Sequence, residues 1–231
     1  MLDGPHLVET YLQRVGMPQL LVVSESGTMN AEIDGLLSSA AMAEKLTVPD
    51  GLFRELSSVA SPVGVLAVIP VPPSATEPPM SPCVLLDAVQ DAGNVGTILR
   101  TAVAAGCRDI ALGPGCAGAW TPRVLRAAQG AHFGSHIYEH ADLEALIRHF
   151  GRISTAAVAS GGSSLYDLDL SGDVAWIFGN EGAGVSPTLA ALAARRATIP
   201  LVSDCESLNV GAAAAVCLFE GLRQRLAKGE G

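Results

Sequence analysis

Residues 83–105 read CVLLDAVQDAGNVGTILRTAVAA. The stretch opens on an apolar run of strand length, Cys83–Asp87, crosses a polar turn containing Gly93, and becomes helical in pattern over Val95–Ala105. An apolar strand that feeds a helix this directly is the building block of a parallel sheet, whose strands are buried on both faces. Asn94 falls near the helix N-terminus, where a side-chain oxygen can cap free N–H groups. Arg100 lies one and a half turns on, a cation among Ile98, Leu99 and Ala102 that is costly to bury without a partner. On these residues alone, a capping Asn and a surface Arg are an adequate account.

The same rhythm repeats towards the C-terminus. Strands are expected at Asp109–Leu112, Ser135–Tyr138, Ile153–Val158, Val174–Phe178 and Ala197–Leu201. Helices are expected at Pro122–Gln129, Leu143–Phe150, Pro187–Arg195 and Leu208–Leu226. The fold class is therefore α/β, a parallel sheet flanked by helices. Ligands of such sheets bind beyond the carboxyl ends of the strands.

Towards the N-terminus, residues 70–82 read PVPPSATEPPMSP, six prolines in thirteen. Proline removes donors and disfavours helix before it, so this segment reads as a semi-rigid linker. It separates residues 1–69 from residues 83–231. The first part carries helical patterns at His6–Val15 and from Asp50, as cap, to Leu56, with strands at Leu20–Ser24, Leu46–Val48 and Val63–Ile69. A piece this small is marginal alone. Its abrupt start, MLDGPHLVE, leads us to expect an upstream helix outside this sequence.

The 231 residues carry a net charge of −9, which argues against indiscriminate coating of nucleic acid. The deficit is uneven. Residues 1–69 hold three basic and eight acidic side chains, residues 83–231 eleven and fourteen, so phosphates would meet the C-terminal part. The longest apolar runs, Val63–Ile69 and Ala212–Phe219, are too short to span a bilayer. No basic segment precedes an apolar core near Met1, so no signal peptide is expected. Five cysteines without a CxxC pair read as reduced and structural, in a cytoplasmic protein, and no metal-ligand spacing is present.

Two further stretches follow strands. WIFGNEGAGVS, 176–186, holds three glycines in six residues, suited to close ligand approach. Glu181 among them suits hydroxyl or amine recognition rather than phosphate. IPLVSDCESLNVGAAAA, 199–215, offers Ser207 as N-cap of a helix that begins with small residues. GPGCAG, 113–118, matches a dinucleotide fingerprint with Glu139 downstream, but Thr121 and Pro122 start the helix too late for it.

Taken in order, LLDAVQDAGNVGTILRTAVAAG, IFGNEGAGVS and IPLVSDCESLNVGAAAAVCL resemble the three motifs of the SpoU (TrmH-like) branch of the SPOUT RNA methyltransferases. RAAQGAHF, 126–133, resembles that family's segment between the first two motifs. GPHLVE and LFRELSSVASPVGVLAVI resemble, more loosely, the ribosomal-protein L30e-like RNA-binding domain found in the family.

The resemblance implies a C-terminal deep trefoil knot, a homodimer, and S-adenosyl-L-methionine bound at the knot. It carries catalytic roles to Asn94, Arg100, Glu181, Ser207 and Asn209. It carries cofactor contacts to Gly179, Asn180, Ile199, Leu201 and Leu208. It implies methyl transfer to a ribose 2′-hydroxyl of RNA, with rRNA ahead of tRNA because of the N-terminal part. A guanidinium holds its proton to pH above ~12, so Arg100 is better suited to grip a phosphate than to act as the base, and the proton acceptor stays open. The rival expectation is a catalytically silent RNA-binding or ribosome-assembly protein. An oxidoreductase using GPGCAG is a third.

Overall fold

The computed structural model describes residues 1–75, 77–80, 82–202 and 206–229. The N-terminal part contains strands β1 (Leu2–Asp3), β2 (Leu20–Ser24), β3 (Glu44–Val48) and β4 (Val65–Val68) with helices α1 (Pro5–Arg14), α2 (Ala31–Ser39) and α3 (Asp50–Leu56). The strands form one mixed sheet in the order β1-β4-β2-β3. Here β2 and β3 are parallel, and β4 is antiparallel to β1 and β2. Helix α2 was not among the expected elements. Its signal is Asn30, whose Oδ1 accepts from the Glu32 amide at 2.9 Å, followed by acidic residues in the first turn. Asp50 opens α3 but does not cap it. Its carboxylate accepts instead from the amide and hydroxyl of Ser26.

The second sheet is built from β5 (Cys83–Leu86), β6 (Asp109–Leu112), β7 (His136–Tyr138), β8 (Ser154–Ala157), β9 (Ser163–Ser164), β10 (Ala175–Phe178) and β11 (Arg195–Thr198). Its order is β7-β6-β5-β10-β8-β11-β9, and each pairing is parallel. Helices α4 (Ala92–Ala104), α5 (Pro122–Ala128), α6 (Leu143–Phe150), α7 (Pro187–Leu192) and α8 (Val210–Lys228) cover it. Strand alternation sorts the core into two layers. Val84, Leu86, Ile110, Trp176 and Phe178 face the layer of α4, α5 and α8. Cys83, Leu85, Ala111, Ala175 and Ile177 face that of α6 and α7.

Three expected boundaries are corrected. The strand expected at Ala197–Leu201 lies at Arg195–Thr198, because Pro200 has no N–H for a ladder while Arg195 and Arg196 pair with Thr155 and Ala156. That shift shortens the preceding helix to Pro187–Leu192 and leaves Ile199 and Leu201 beyond the strand, in a loop. The last helix starts at Val210 rather than Leu208. Asn209 is its N-cap, accepting at Oδ1 from the Gly211 and Ala212 amides, so Ser207 is not the cap.

The proline-rich segment is laid onto the edge of the second sheet. The Ala75 amide donates to the Ile137 carbonyl at 3.1 Å, and Ser74 Oγ accepts from the Glu139 amide. The N-terminal core also recruits Leu125 of α5 beside Leu2, Leu7 and Tyr11, with the Phe133 ring edge-on to Tyr11 at 5.2 Å. A small piece gains the burial it lacks alone in this way. Helices α4 and α5 pack closely because position 96 is Gly: a Cβ there would lie 2.4 Å from that of Ala127 and 2.7 Å from the Val124 carbonyl oxygen.

Cys83, Cys107 and Cys217 are buried free thiols. Loss of solvent pushes Cys107 up to about 11 and Cys217 up to about 12, so neither is a nucleophile at neutral pH. Cys205 lies outside the described residues. Residues 203–205, in the C-terminal segment where the knot is expected, likewise lie outside them.

Candidate active site

A cavity of about 320 Å³ opens where β8, β10 and β11 end. Strand β10 stops at Phe178 and the chain turns at once. Asn180 and Gly184 exchange backbone hydrogen bonds of 3.0 and 2.8 Å, closing the turn. Gly179 sits under that closure: a Cβ at this position would lie 2.1 Å from Gly184 C and from Val185 N. No other residue fits there without opening the turn. The Asn180 side chain is spent on the fold, with Oδ1 accepting from the Gly182 and Ala183 amides and Nδ2 donating to the Ala88 carbonyl.

Gly179, Asn180, Ile199, Leu201 and Leu208 all line this cavity, as do Glu181 and Ser207. Phe178, Val158, Ile199 and Leu208 make its apolar walls. Residues 157–160, just past β8, and Val210 and Ala213 on α8 also line it and were missed. The available signal for 157–160 was positional: they follow the carboxyl end of a buried strand.

Beside the cavity three side chains form a chain of hydrogen bonds. Asn209 Nδ2 donates to Asn94 Oδ1 at 3.0 Å, and Asn94 Nδ2 donates to Glu181 Oε1 at 2.9 Å. Glu181 also accepts from the amides of Asp91 at 3.0 Å and Gln90 at 3.2 Å. The donors it meets are thus the protein's own. Partial burial alone would raise its carboxyl, but the bonds from Asn94, Asp91 and Gln90 outweigh this and hold it below the usual range. A carboxylate with three donors is a poor proton acceptor and a good anchor for the loop 90–94. Asn94 does not cap α4, because Asp91 does so, accepting from the Asn94 amide at 2.8 Å.

Arg100 stands apart from the cavity. It is exposed on α4 and lines a neighbouring groove with Gln90 and Asp91. The loop that Glu181 holds therefore separates the two depressions.

GPGCAG is occupied by structural bonds. Glu139 Oε1 accepts from the Ala119 amide at 2.8 Å, Cys116 Sγ donates to the Leu86 carbonyl, and the Ala117 amide donates to the Val89 carbonyl. His132 is buried against Trp120, ring centroids 5.0 Å apart, with Nε2 2.7 Å from the Ala119 carbonyl oxygen. Among the described residues no group of three His, Cys, Asp or Glu is placed to hold a metal ion. None of their helices is long and apolar enough to cross a membrane.

Known proteins share this fold. The 23S rRNA (guanosine(2553)-2′-O)-methyltransferase RlmP of Bacillus subtilis is 30% identical over 222 residues, covering 95% of this chain and 86% of its own. A solved protein of the TrmH family of RNA methyltransferases from Porphyromonas gingivalis superposes with a TM-score of 0.81 at 32% identity, covering 96% and 88%. The AdoMet-bound rRNA methyltransferase of Sinorhizobium meliloti gives 0.79 at 26% identity, covering 96% and 85%. The family profile described as the SpoU rRNA Methylase family matches residues 81–219, which span the whole of the second sheet and the three motif segments. The chain belongs to the SpoU rRNA methylase family.

Proposed function

We propose that this protein is an S-adenosylmethionine-dependent RNA methyltransferase that modifies a ribose 2′-hydroxyl, on rRNA rather than tRNA, in the cytoplasm. The observation that carries this reading is a single carboxylate, Glu181, which lines the cavity at the strand ends and also anchors the loop 90–94 that borders the Arg100 groove. Cofactor and substrate positions are thereby coupled through one side chain.

The cavity suits an adenosine-sized ligand. Phe178, Ile199 and Leu208 offer apolar surface for a base, and the tight turn at Gly179–Gly184 lines the same cavity. Gly179, Asn180, Ile199, Leu201 and Leu208 would hold S-adenosylmethionine, which when bound supplies a methyl group made electrophilic by a sulfonium. Asn94 and Asn209 fix the rim between cavity and groove. Ser207 stands on the cavity wall. Arg100 grips a phosphate next to the target nucleotide and so fixes the attacking hydroxyl, and alignment of this kind lowers a barrier by several kcal/mol. It does not take the hydroxyl proton, because guanidinium groups remain charged and a bound phosphate favours that charge.

Residues 1–69 are proposed as the L30e-like substrate-binding part and residues 83–231 as the methyltransferase part, with residues 70–82 between them. The active form is proposed as a homodimer joined through α8, which leaves Phe219 and Leu226 about half exposed. Light scattering at micromolar concentration should give twice the chain mass, and a monomer would remove the dimer.

The direct test supplies methyl-labelled S-adenosylmethionine with rRNA and tRNA from cells lacking the gene. Label in rRNA at an alkali-resistant linkage is the expected result. Label confined to tRNA would remove the rRNA assignment, and no label in any RNA, with cofactor bound, would favour the silent RNA-binding alternative.

A further inference from the structure

We infer that the groove beside the cofactor cavity seats consecutive phosphates of the RNA strand, with Arg123 and Arg126 of α5 as the residues that position them. The inference rests on the methyltransferase reading and adds to it a binding surface outside the three motifs. The groove has a volume of about 650 Å³. Arg100 of α4 forms one wall and Arg123 and Arg126 of α5 the other, with the loop 90–93 at one end and Ser58 at the margin.

Three observations point to an anion. The first is concentration of charge. The protein has 14 basic against 23 acidic residues, yet three arginines face one depression. The second is that these charges are unspent. Among the described residues, none of the three guanidiniums has an ion-pair or hydrogen-bond partner, whereas Arg148 and Arg223 pair with carboxylates and Arg225 donates to the Ala105 carbonyl. The carboxylate lining the groove, Asp91, is engaged by the Asn94 amide. The third is placement. Arg123 and Arg126 are three residues apart on one helix and share a face. Position 96 is glycine, so the backbone of α5 lies close against α4 and brings that face alongside Arg100.

The ligand class follows from geometry. Arginine forks meet phosphate oxygens in pairs, and a row of such forks suits a phosphodiester backbone. The amides of Gln90 and Asp91, at the groove's end, hold the carboxylate that lines the cofactor cavity. A strand whose phosphates lie along the arginines therefore delivers its next ribose to the rim of that cavity. Ser58 is tied to Asp3 of β1 through its amide and hydroxyl, so the N-terminal sheet supplies the groove's margin as a fixed part.

The test compares wild type with the double variant R123Q/R126Q and with the control R148Q/R152Q, which removes the same charge from the α6 side of the sheet. The probes are S-adenosylmethionine by calorimetry, a labelled mixed-sequence single-stranded RNA by fluorescence anisotropy over a salt series, and methyl transfer to rRNA from cells lacking the gene. Each phosphate contact on a single strand contributes ~0.7 to the slope of log affinity against log salt. R123Q/R126Q should lower that slope by about 1.4, weaken RNA binding by roughly tenfold per arginine, and raise KM with little change in kcat. Cofactor affinity should stay within a few-fold, and the control should match wild type. A double variant with wild-type RNA affinity and salt slope would overturn the groove assignment, as would an equal loss in the control. Wild-type protein that binds RNA but transfers no methyl group would overturn the functional reading, and the salt slope would still decide the groove.

Discussion

Asn209 donates from Nδ2 to Oδ1 of Asn94 across 115 positions of sequence, at 3.0 Å. Both amides are read from two sides. Asn209 Oδ1 caps α8 while its Nδ2 reaches Asn94, and Asn94 Nδ2 holds Glu181. Each side chain therefore needs a donor and an acceptor at fixed ends, which an amide supplies and a carboxylate does not.

Substitution of Asn94 should reveal this polarity. Asn94→Ala removes two hydrogen bonds at a half-buried site and should cost about 1–2 kcal/mol. Asn94→Asp keeps the acceptor for Asn209 but turns an oxygen towards the Glu181 carboxylate. Like charges at hydrogen-bond distance repel, so Asp should be the less stable variant at pH 7 despite its closer shape. Urea unfolding of the three proteins checks the order. Asp matching Asn would show that the direction of the amide does not matter.

Gly179 gives a sharper case. The atoms a Cβ would meet are backbone atoms of Gly184 and Val185, so no rotamer change relieves the contact. Gly179→Ala should force the turn open, at about 3 kcal/mol or more, and weaken S-adenosylmethionine binding at least tenfold by reshaping the cavity. Gly182→Ala is the matched control, since a Cβ there meets only Asn180 Oδ1, at 3.7 Å. Calorimetric titration of both variants separates loss of the site from a general effect of added methyl groups.

His132 sets an acid limit on stability. Burial lowers it to about 4, despite its hydrogen bond to the Ala119 carbonyl. The unfolded chain takes up a proton near pH 6.5 that the folded protein refuses until about pH 4. Stability should therefore fall as pH drops through that window, by on the order of 3 kcal/mol, with no further loss from this group below it. In His132→Gln the same pH interval should show a much flatter profile in denaturant titrations. A variant that keeps the full wild-type slope would assign the acid limit to other groups.

Much of the second sheet was legible because its strands are buried on both faces. Cys83–Leu86 and Ala175–Phe178 are unbroken apolar runs that no surface element would carry. Strand β11 was displaced in the reading because Arg195 and Arg196 look like a helix end. They enter the ladder because β9 covers only Ala197 and Thr198, which leaves Arg196 exposed, while Arg195 donates to the Asp169 carbonyl. The expected cofactor residues converge on one cavity since Gly179, Asn180, Ile199 and Leu201 follow strand ends and Leu208 leads into α8. What the sequence could not show is which side chains meet. Glu181 reads as free to recognise a substrate, and it is saturated by Asn94, Asp91 and Gln90 only because β5 and β10 are neighbours. The arginine groove was hidden for the same reason, since its walls come from two helices and its margin from the first sheet.

Arg100 carries the last prediction. It is exposed on α4, about one and a half turns beyond the loop that Glu181 anchors, and lies in the groove rather than the cavity at the strand ends. A residue so placed should act on the RNA and leave the cofactor untouched. Arg100→Ala should reduce single-turnover methylation of rRNA by about a hundredfold or more, the scale expected when a reacting group loses its alignment. S-adenosylmethionine affinity should stay within a few-fold. Arg100→Lys restores charge but not the planar fork that meets two phosphate oxygens, so it should recover little of the loss. Full rescue by Lys would reduce the role to a point charge. Lost cofactor binding in a folded Ala variant would move Arg100 to the cofactor site, and retained methylation would remove it from the reaction.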